Sequence, residues 1–566
     1  MRVTDAIAKA LTGLGADTVF GVVGSGNFHV TNALIAHGAR FVAARHECGA
    51  ASMADAWARV AGRPGLVTLH QGPGITNALT GITEAAKSRT PMLVLAADVS
   101  AKALTSNFRI DVAAITAATG ATPARLMSPV FAIDDAVRAY RLARDDRRTV
   151  VLTLPLDVQA GECTWPGAPE LGGAAAHPPS DRQAAELAAA LAVAARPVFI
   201  AGRGARSAVA RAALEALADR CGALVATSAV AKGLFRGNPW DLDVSGGFAS
   251  PIAAELIGEA DLIVAWGCSL NMWTTRHGNL IGPQAKVIQV DCDDKAIGRH
   301  RRVQLGVVGD VALTANAVAG LLDQEPGARL HADGAEPASD VEQAGAESGY
   351  RSAALRDRLA AEVRWRDVPF DDLSDGDRID PRSLTIALDD MLPAERTVAV
   401  DSGNFMGYPS MFLSVPDQDG FCFTQAYQSI GLGLASAIGA AIARPDRLTV
   451  AALGDGGALM GISELETAVR LALPMVIVVY DDEAYGAEVH HFGPEGYPLE
   501  TVRFPPADIA AIARGYGCDS VTVRSLADLG PVRAWLESRT GRPMVIDAKV
   551  TSDRGAWWLE EAFRGH

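Results

Sequence analysis

LTVAALGDGGALMGISELETAVRLALPMVIVVYDD, residues 448–482, decides how this chain is read. An apolar strand runs into the turn Gly454-Asp455-Gly456-Gly457, an amphipathic helix follows, and a second apolar strand ends at Asp481-Asp482. Strands apolar on both faces, separated by a helix, belong to a parallel sheet. Parallel strands end on the same sheet edge, so Asp455 and Asp482 converge although distant in sequence. Two carboxylates suit a hard divalent cation, and Mg²⁺ keeps phosphate oxygens among its ligands. Gly454, Gly456 and Gly457 let backbone N–H groups approach an anion where the helix begins. The segment reads as a metal–diphosphate site.

The same alternation extends outward in both directions. A first unit, 1–165, carries strands at TVFGVV, GLVTLH, PMLVLAA and TVVLTLPL. A second, 181–323, carries PVFIAGRG, LIVAWG and KVIQVD, after the Ala/Gly/Pro/His stretch LGGAAAHPPSD. A polar segment, 324–376, links it to a third unit, 377–566, with one helix near SAALRDRLAAEVRW. The expected architecture is α/β: three doubly wound parallel sheets.

Composition narrows the functional classes. The 566 residues are 49% hydrophobic and 21% charged, as in a globular enzyme. A net charge of −15 with no basic block argues against nucleic acid as a partner. The seven cysteines are scattered without metal-ligand spacing, which favours a reducing, cytoplasmic setting over disulfides or zinc. No apolar run is long enough to cross a bilayer, so no membrane partner is expected.

The Gly-Asp-Gly turn, its helix and the paired acids resemble the diphosphate motif of thiamin diphosphate (ThDP) enzymes, and the three-unit order resembles their pyruvate-oxidase and decarboxylase group. The resemblance implies that Asp455, Asp482 and the carbonyl of Ala484 hold Mg²⁺, with Tyr485 beside them; Asp482 stands where relatives usually carry Asn. It also implies a pyrimidine-binding first domain, a Rossmann-like middle domain and a diphosphate-binding third domain. The cofactor then lies between the first domain of one subunit and the third of its partner, in a homodimer or homotetramer. The segment beginning FVAARHECGAAS resembles the family's activating region, placing Glu47 where a buried Glu bonds the pyrimidine and promotes loss of the thiazolium proton. Gly72-Pro73-Gly74-x-x-Asn77 resembles the loop beside the cofactor, with Asn77 capping the next helix. In QAYQSIGLG, Ile430 matches the side chain that bends the cofactor, and the Gln428 carbonyl matches the acceptor for its amino group.

Substrate-facing residues follow from closer resemblances. GVVGSGNFHV places Ser25, and LVTLHQGPG places His70, on catalytic positions of benzoylformate decarboxylase, where both suit proton transfer. Glu488, in EAYGAEVHHFG, matches the catalytic Glu of pyruvate and indolepyruvate decarboxylases, with His490 and His491 close behind. The alternative for this trio is a solvated helix face. His29 and Trp273 are further pocket candidates. In the middle unit Gly202-Arg203-Gly204 lacks a third glycine and a downstream acid. Asn271-Met272-Trp273 replaces the Asp-Asp-Arg of acetolactate synthases, which argues against FAD. The tail AWWLEEAFRGH either docks on the core or closes over the site.

These resemblances imply a ThDP- and Mg²⁺-dependent enzyme that cleaves or forms a C–C bond beside a carbonyl of a small 2-oxo acid. A decarboxylase and an acetolactate-synthase-like carboligase both fit. A 2-hydroxyacyl-CoA lyase and an inactive ThDP-binding homologue are the remaining alternatives.

Overall fold

The computed structural model describes residues 1–170, 172–173, 176–324, 349–538, 540–552 and 555–558. They form three six-stranded sheets with parallel pairing, each flanked by helices. The first sheet has the spatial order Arg40–Ala43, Thr18–Gly21, Gly65–Leu69, Met92–Asp98, Thr149–Pro155, Thr122–Arg125. The last repeats that order with Phe421–Phe423, Arg396–Val400, Leu448–Gly454, Met475–Asp481, Met544–Lys549 and Asp519–Val523. In both, the strand order reverses between the first and third strands in sequence (Thr18–Gly21 beside Gly65–Leu69, and Arg396–Val400 beside Leu448–Gly454), so the loops leaving them diverge and open a crevice. The strands read from the sequence are all present.

The first and last sheets belong to one compact unit: Met1–Ala175, Leu373–Pro409 and Cys422–Arg554. Its core includes the helices Glu47–Ala61 and Gly433–Ala443 packed face to face. Alanines at 50, 51, 54, 437 and 440 bring the backbones close, and Gly439 lies directly on the Met53 carbonyl. Between them Met53, Leu434 and Ile438 are buried, each contributing roughly 1.5–3 kcal/mol of transfer free energy. The helix carrying Glu47 therefore rests on the domain that carries Asp455.

The helix read between the turn and the second strand of 448–482 is two helices, Asp455–Met460 and Glu464–Arg470. The break falls at Gly461, where a Cβ would sit 3.1 Å from the Gly431 carbonyl. A continuous helix with a side chain there would push the 428–431 loop away.

The second compact unit is Ala176–Asp372, Ser410–Phe421 and Gly555–His566. Its sheet runs Leu305–Val308, Lys286–Asp291, Leu262–Trp266, Pro197–Ala201, Leu224–Thr227, Asp241–Val244. Gly204 packs on Gly267, where a Cβ would lie 2.8 Å from the Gly267 Cα, and Gly202 packs on the Gly267–Cys268 backbone. The glycine pair thus serves loop-on-loop packing. Of the segment expected as a linker, 325–348 lie outside the described residues, and the expected helix forms at Ala353–Glu362. In the tail, Trp558 is buried against Phe248, and Trp557 stacks on Trp365 at 5.6 Å beneath the Arg276 guanidinium. The rest of the tail, 559–566, lies outside the described residues.

Candidate active site

Functional side chains gather at the two crevices of the first unit. In the N-terminal sheet, the loops following Thr18–Gly21 and Gly65–Leu69 meet because Gly21 pairs with Thr68. Asn27, fully buried, staples the first loop: its Oδ1 accepts from Gly24 N–H at 2.8 Å, and its Nδ2 donates to the Val22 carbonyl at 3.1 Å. That loop presents Ser25 at the surface and directs Gly26 N–H to His70 Nδ1 at 3.1 Å. An accepting Nδ1 carries no proton, so the ring's hydrogen sits on Nε2, the outward nitrogen. Burial lowers the His70 pKa against the opposing pull of the Glu47 charge, reinforcing the neutral form.

Glu47 opens the helix Glu47–Ala61 and is half-buried in this chain, where a buried carboxyl was expected. First-turn residues point away from the helix body, and this one lies at the edge of the crevice. Asn77 donates to Glu47 Oε2 at 3.0 Å. It does not cap its helix: that helix begins at Pro73, whose ring pre-sets the first helical φ, so Asn77 sits a turn inside and is free for Glu47.

The C-terminal sheet holds the second group. Asp455 starts the helix after Leu448–Gly454, and the register pairing Gly454 with Tyr480 brings Asp482 alongside. Asp455 is pushed up to about 8 by burial first, then by the charges of Asp482 and Asp481. Asp482 rises to about 7 through burial and Asp481, while Ala484 N–H bonds its carboxylate and pulls the other way. Like charges crowded in this way call for a cation between them. The glycines work as close-approach points. A Cβ on Gly456 would lie 2.6 Å from the Tyr485 ring, and one on Gly457 would overlap the Asp401 carboxylate. Asp455 and Gly456 also border a cavity of about 300 Å³ with Met460, Tyr485 and Phe504. Glu488, His490 and His491 ride on the short helix Gly486–Phe492 that follows directly.

Some residues of this group escaped sequence reasoning. Asp401, fully buried, accepts N–H bonds from Ser402 at 2.9 Å, Gly431 at 2.9 Å and Leu432 at 3.2 Å. Burial pushes its pKa up to about 6 against those donors. Its position after the strand TVAV, at the sheet's crevice, was the available signal. Asn404 Oδ1 and Gln425 Nε2 are buried without a partner. Next to them Gln428 adopts a left-handed φ of 61°, and Ile430 is half-buried.

The comparisons with known proteins cover both groups. Thiamine pyrophosphate enzyme descriptions match the chain three times: the N-terminal TPP binding domain over residues 1–116, the central domain over 184–318 and the C-terminal TPP binding domain over 401–548. The chain belongs to the thiamine pyrophosphate enzyme family. As a family member it is 31% identical to a probable 2-ketoarginine decarboxylase of Pseudomonas aeruginosa, over 95% of this chain and 91% of that one. It is 28% identical to a sulfoacetaldehyde acetyltransferase of Castellaniella defragrans, over 94% and 90%. It is also 28% identical to an acetolactate synthase large subunit of Parasynechococcus marenigrum, over 96% and 87%. For a thiamine pyrophosphate enzyme the residues present fit the cofactor: acids that need a cation, glycines at the helix start, and the orphaned Oδ1 of Asn404, whose side chain shares with Asp482 the space over Gly486.

Proposed function

We propose that the protein is a ThDP- and Mg²⁺-dependent decarboxylase of a small 2-oxo acid, working as a cytoplasmic homodimer or homotetramer. The observation that carries this reading is His70: a neutral imidazole with its proton fixed on the outward Nε2, beside Ser25 and Glu47. A decarboxylase must hold the oxygens of a 2-oxo acid and its reaction product with hydrogen-bond donors, and a neutral imidazole with an outward Nε2–H suits that role. The 31% identity to a probable 2-ketoarginine decarboxylase supports the same direction.

Asp455, Asp482 and the Ala484 carbonyl would hold Mg²⁺ against the diphosphate, with Gly454, Gly456 and Gly457 admitting its oxygens. Ile430 and the Gln428 carbonyl would support the bent cofactor, and Pro73 and Asn77 would flank its pyrimidine. When bound, ThDP supplies a carbon nucleophile and an electron sink for the electrons released with CO₂. Glu47 holds a proton at the pyrimidine, oriented by Asn77. His70 Nε2 and Ser25 Oγ handle protons at the substrate, and Glu488 and His490 contribute from the other wall. Following the family resemblance, the reading pairs the Glu47 group of one subunit with the Asp455 group of its partner.

The second reading, ligation to another carbonyl, draws support from the likeness to acetolactate synthase and sulfoacetaldehyde acetyltransferase. Product analysis separates the two. Purified protein with ThDP and Mg²⁺ is given a panel of 2-oxo acids, including guanidino, aromatic and branched ones. CO₂ with a free aldehyde supports the decarboxylase; CO₂ with a hydroxyketone or acetolactate replaces it with the ligase; absence of ThDP binding overturns both.

A further inference from the structure

The loop bearing Gln428 and Ile430 is fastened by a residue that the cofactor motifs do not include. Glu84 lies on the helix Pro73–Lys87 and is 1% exposed. Its Oε2 accepts from Tyr427 N–H at 2.7 Å and its Oε1 from Ala426 N–H at 3.2 Å. Arg59, on Glu47–Ala61, donates to the Phe423 carbonyl at 2.8 Å. The same guanidinium reaches Asp55 at 2.6 Å, Ser88 at 2.7 Å and Glu84 at 2.8 Å. Burial works against its charge, but Asp55 and Glu84 together hold it protonated. Three backbone groups just upstream of Gln428 are thus tied to two helices of the N-terminal sheet. Downstream, Asp401 ties Gly431 and Leu432.

Gln428 sits between these two carboxylate clamps in a conformation that costs a non-glycine residue about 1–3 kcal/mol. Such strain persists only where the surroundings over-determine it. Asp55 alone could neutralise Arg59. Glu84, besides pairing with Arg59, turns both oxygens toward loop N–H groups, which a purely charge-balancing acid need not do. An acid also suits this place, because carboxylate–N–H bonds are stronger than neutral ones.

We propose that Glu84 is a positioning residue for the cofactor site: it holds the Ala426–Tyr427 backbone so that the Gln428 carbonyl and the Ile430 side chain keep the geometry that ThDP requires. This inference rests on the cofactor reading above.

The test compares wild type, Glu84→Gln and Ser88→Ala without cofactor, by hydrogen–deuterium exchange over 424–432. Ser88 touches Arg59 and Glu84 but not the loop, so its variant controls for disturbance of the charge cluster. Glu84→Gln is expected to speed exchange at 426 and 427 at least tenfold and to weaken ThDP binding, followed by tryptophan fluorescence, by tenfold or more. In turnover it lowers kcat more than it raises the substrate KM. Ser88→Ala exchanges as wild type over 424–432. Should Glu84→Gln fail to fold, Glu84→Met keeps the volume and leaves Arg59 paired with Asp55, and is expected to show the same losses. Unchanged exchange and ThDP affinity within twofold, in whichever variant folds, overturns the inference while leaving the enzyme reading intact. Wild type that binds no ThDP overturns the enzyme reading and removes the site that Glu84 would position.

Discussion

His70 and Glu47 take on their roles through single hydrogen bonds. Gly26 N–H fixes the imidazole tautomer, and Asn77 orients the carboxylate. Glu47→Gln keeps an oxygen for Asn77 and removes the acid, so it is expected to retain fold and ThDP binding while kcat falls about 10²–10⁴-fold. Single-turnover CO₂ release with a parallel ThDP titration checks this, and turnover at the wild-type rate would remove Glu47 from the mechanism. The lowered His70 pKa also has a sign. In the unfolded chain the imidazole titrates near about 6.5; the folded protein resists that protonation. Stability from this residue is present above that value and is lost as pH falls through the lower folded pKa. The acid limb of kcat/KM is expected below about pH 6.5, and His70→Asn is expected to abolish the limb along with most of the activity. A pH profile over the acid range reads both. Residue identity was legible for Asp455, Asp482, Glu47 and His70 because short motifs carry them. The tautomer of His70 and the clamp by Asp401 were not, since each depends on a backbone N–H from a segment 30 or more residues away.

Elements were legible where periodicity is unbroken and illegible where a close approach interrupts it. The strands of 448–482 came out as read, but the helix between them splits at Gly461 because the 428–431 loop passes over it. Asn77 read as a cap because Asn favours that place, yet Pro73 starts the helix a turn earlier. The crossing of Glu47–Ala61 on Gly433–Ala443 depends on one glycine, since a Cβ at Gly439 would overlap the Met53 carbonyl. Backbone cannot yield as a side chain can. Gly439→Ala is expected to cost about 1–3 kcal/mol, lowering Tm in a calorimetric scan, and to reduce activity through displacement of Glu47. A variant as stable as wild type would mean that the two helices slide apart at no cost.

At the scale of the whole chain, three α/β units were legible from alternating apolar runs and helices. Strand order was not, because burial patterns tell which residues face a core but not which strands are neighbours. That order matters: the shared arrangement of the outer sheets puts Ser25 and His70 at one crevice and Asp401 and Asp455 at the other. Among the described residues no helix is long and apolar enough to cross a membrane. Asp482 is where local charge meets global stability. It stands beside Asp455 and Asp481; Lys549 pairs with Asp481, but Asp455 and Asp482 repel within a largely enclosed space when no metal is bound. Folding must carry that repulsion, and a bound divalent cation relieves it. Asp482→Asn removes one charge and keeps an oxygen ligand. The metal-free variant is therefore expected to melt about 1 °C above wild type for each kcal/mol of repulsion removed, the unfolding entropy of a chain this long being large. It should also gain less from the cation, because fewer charges are left for it to neutralise. Wild type with ThDP and Mg²⁺ at 100-fold their dissociation constants should gain about 2.7 kcal/mol, and chelation by EDTA should reverse that gain. Thermal scans of both proteins, with and without Mg²⁺, read these effects together. Equal metal-free melting temperatures would show that Asp482 carries no repulsion, and with it would go the argument that this acid pair is built around a cation.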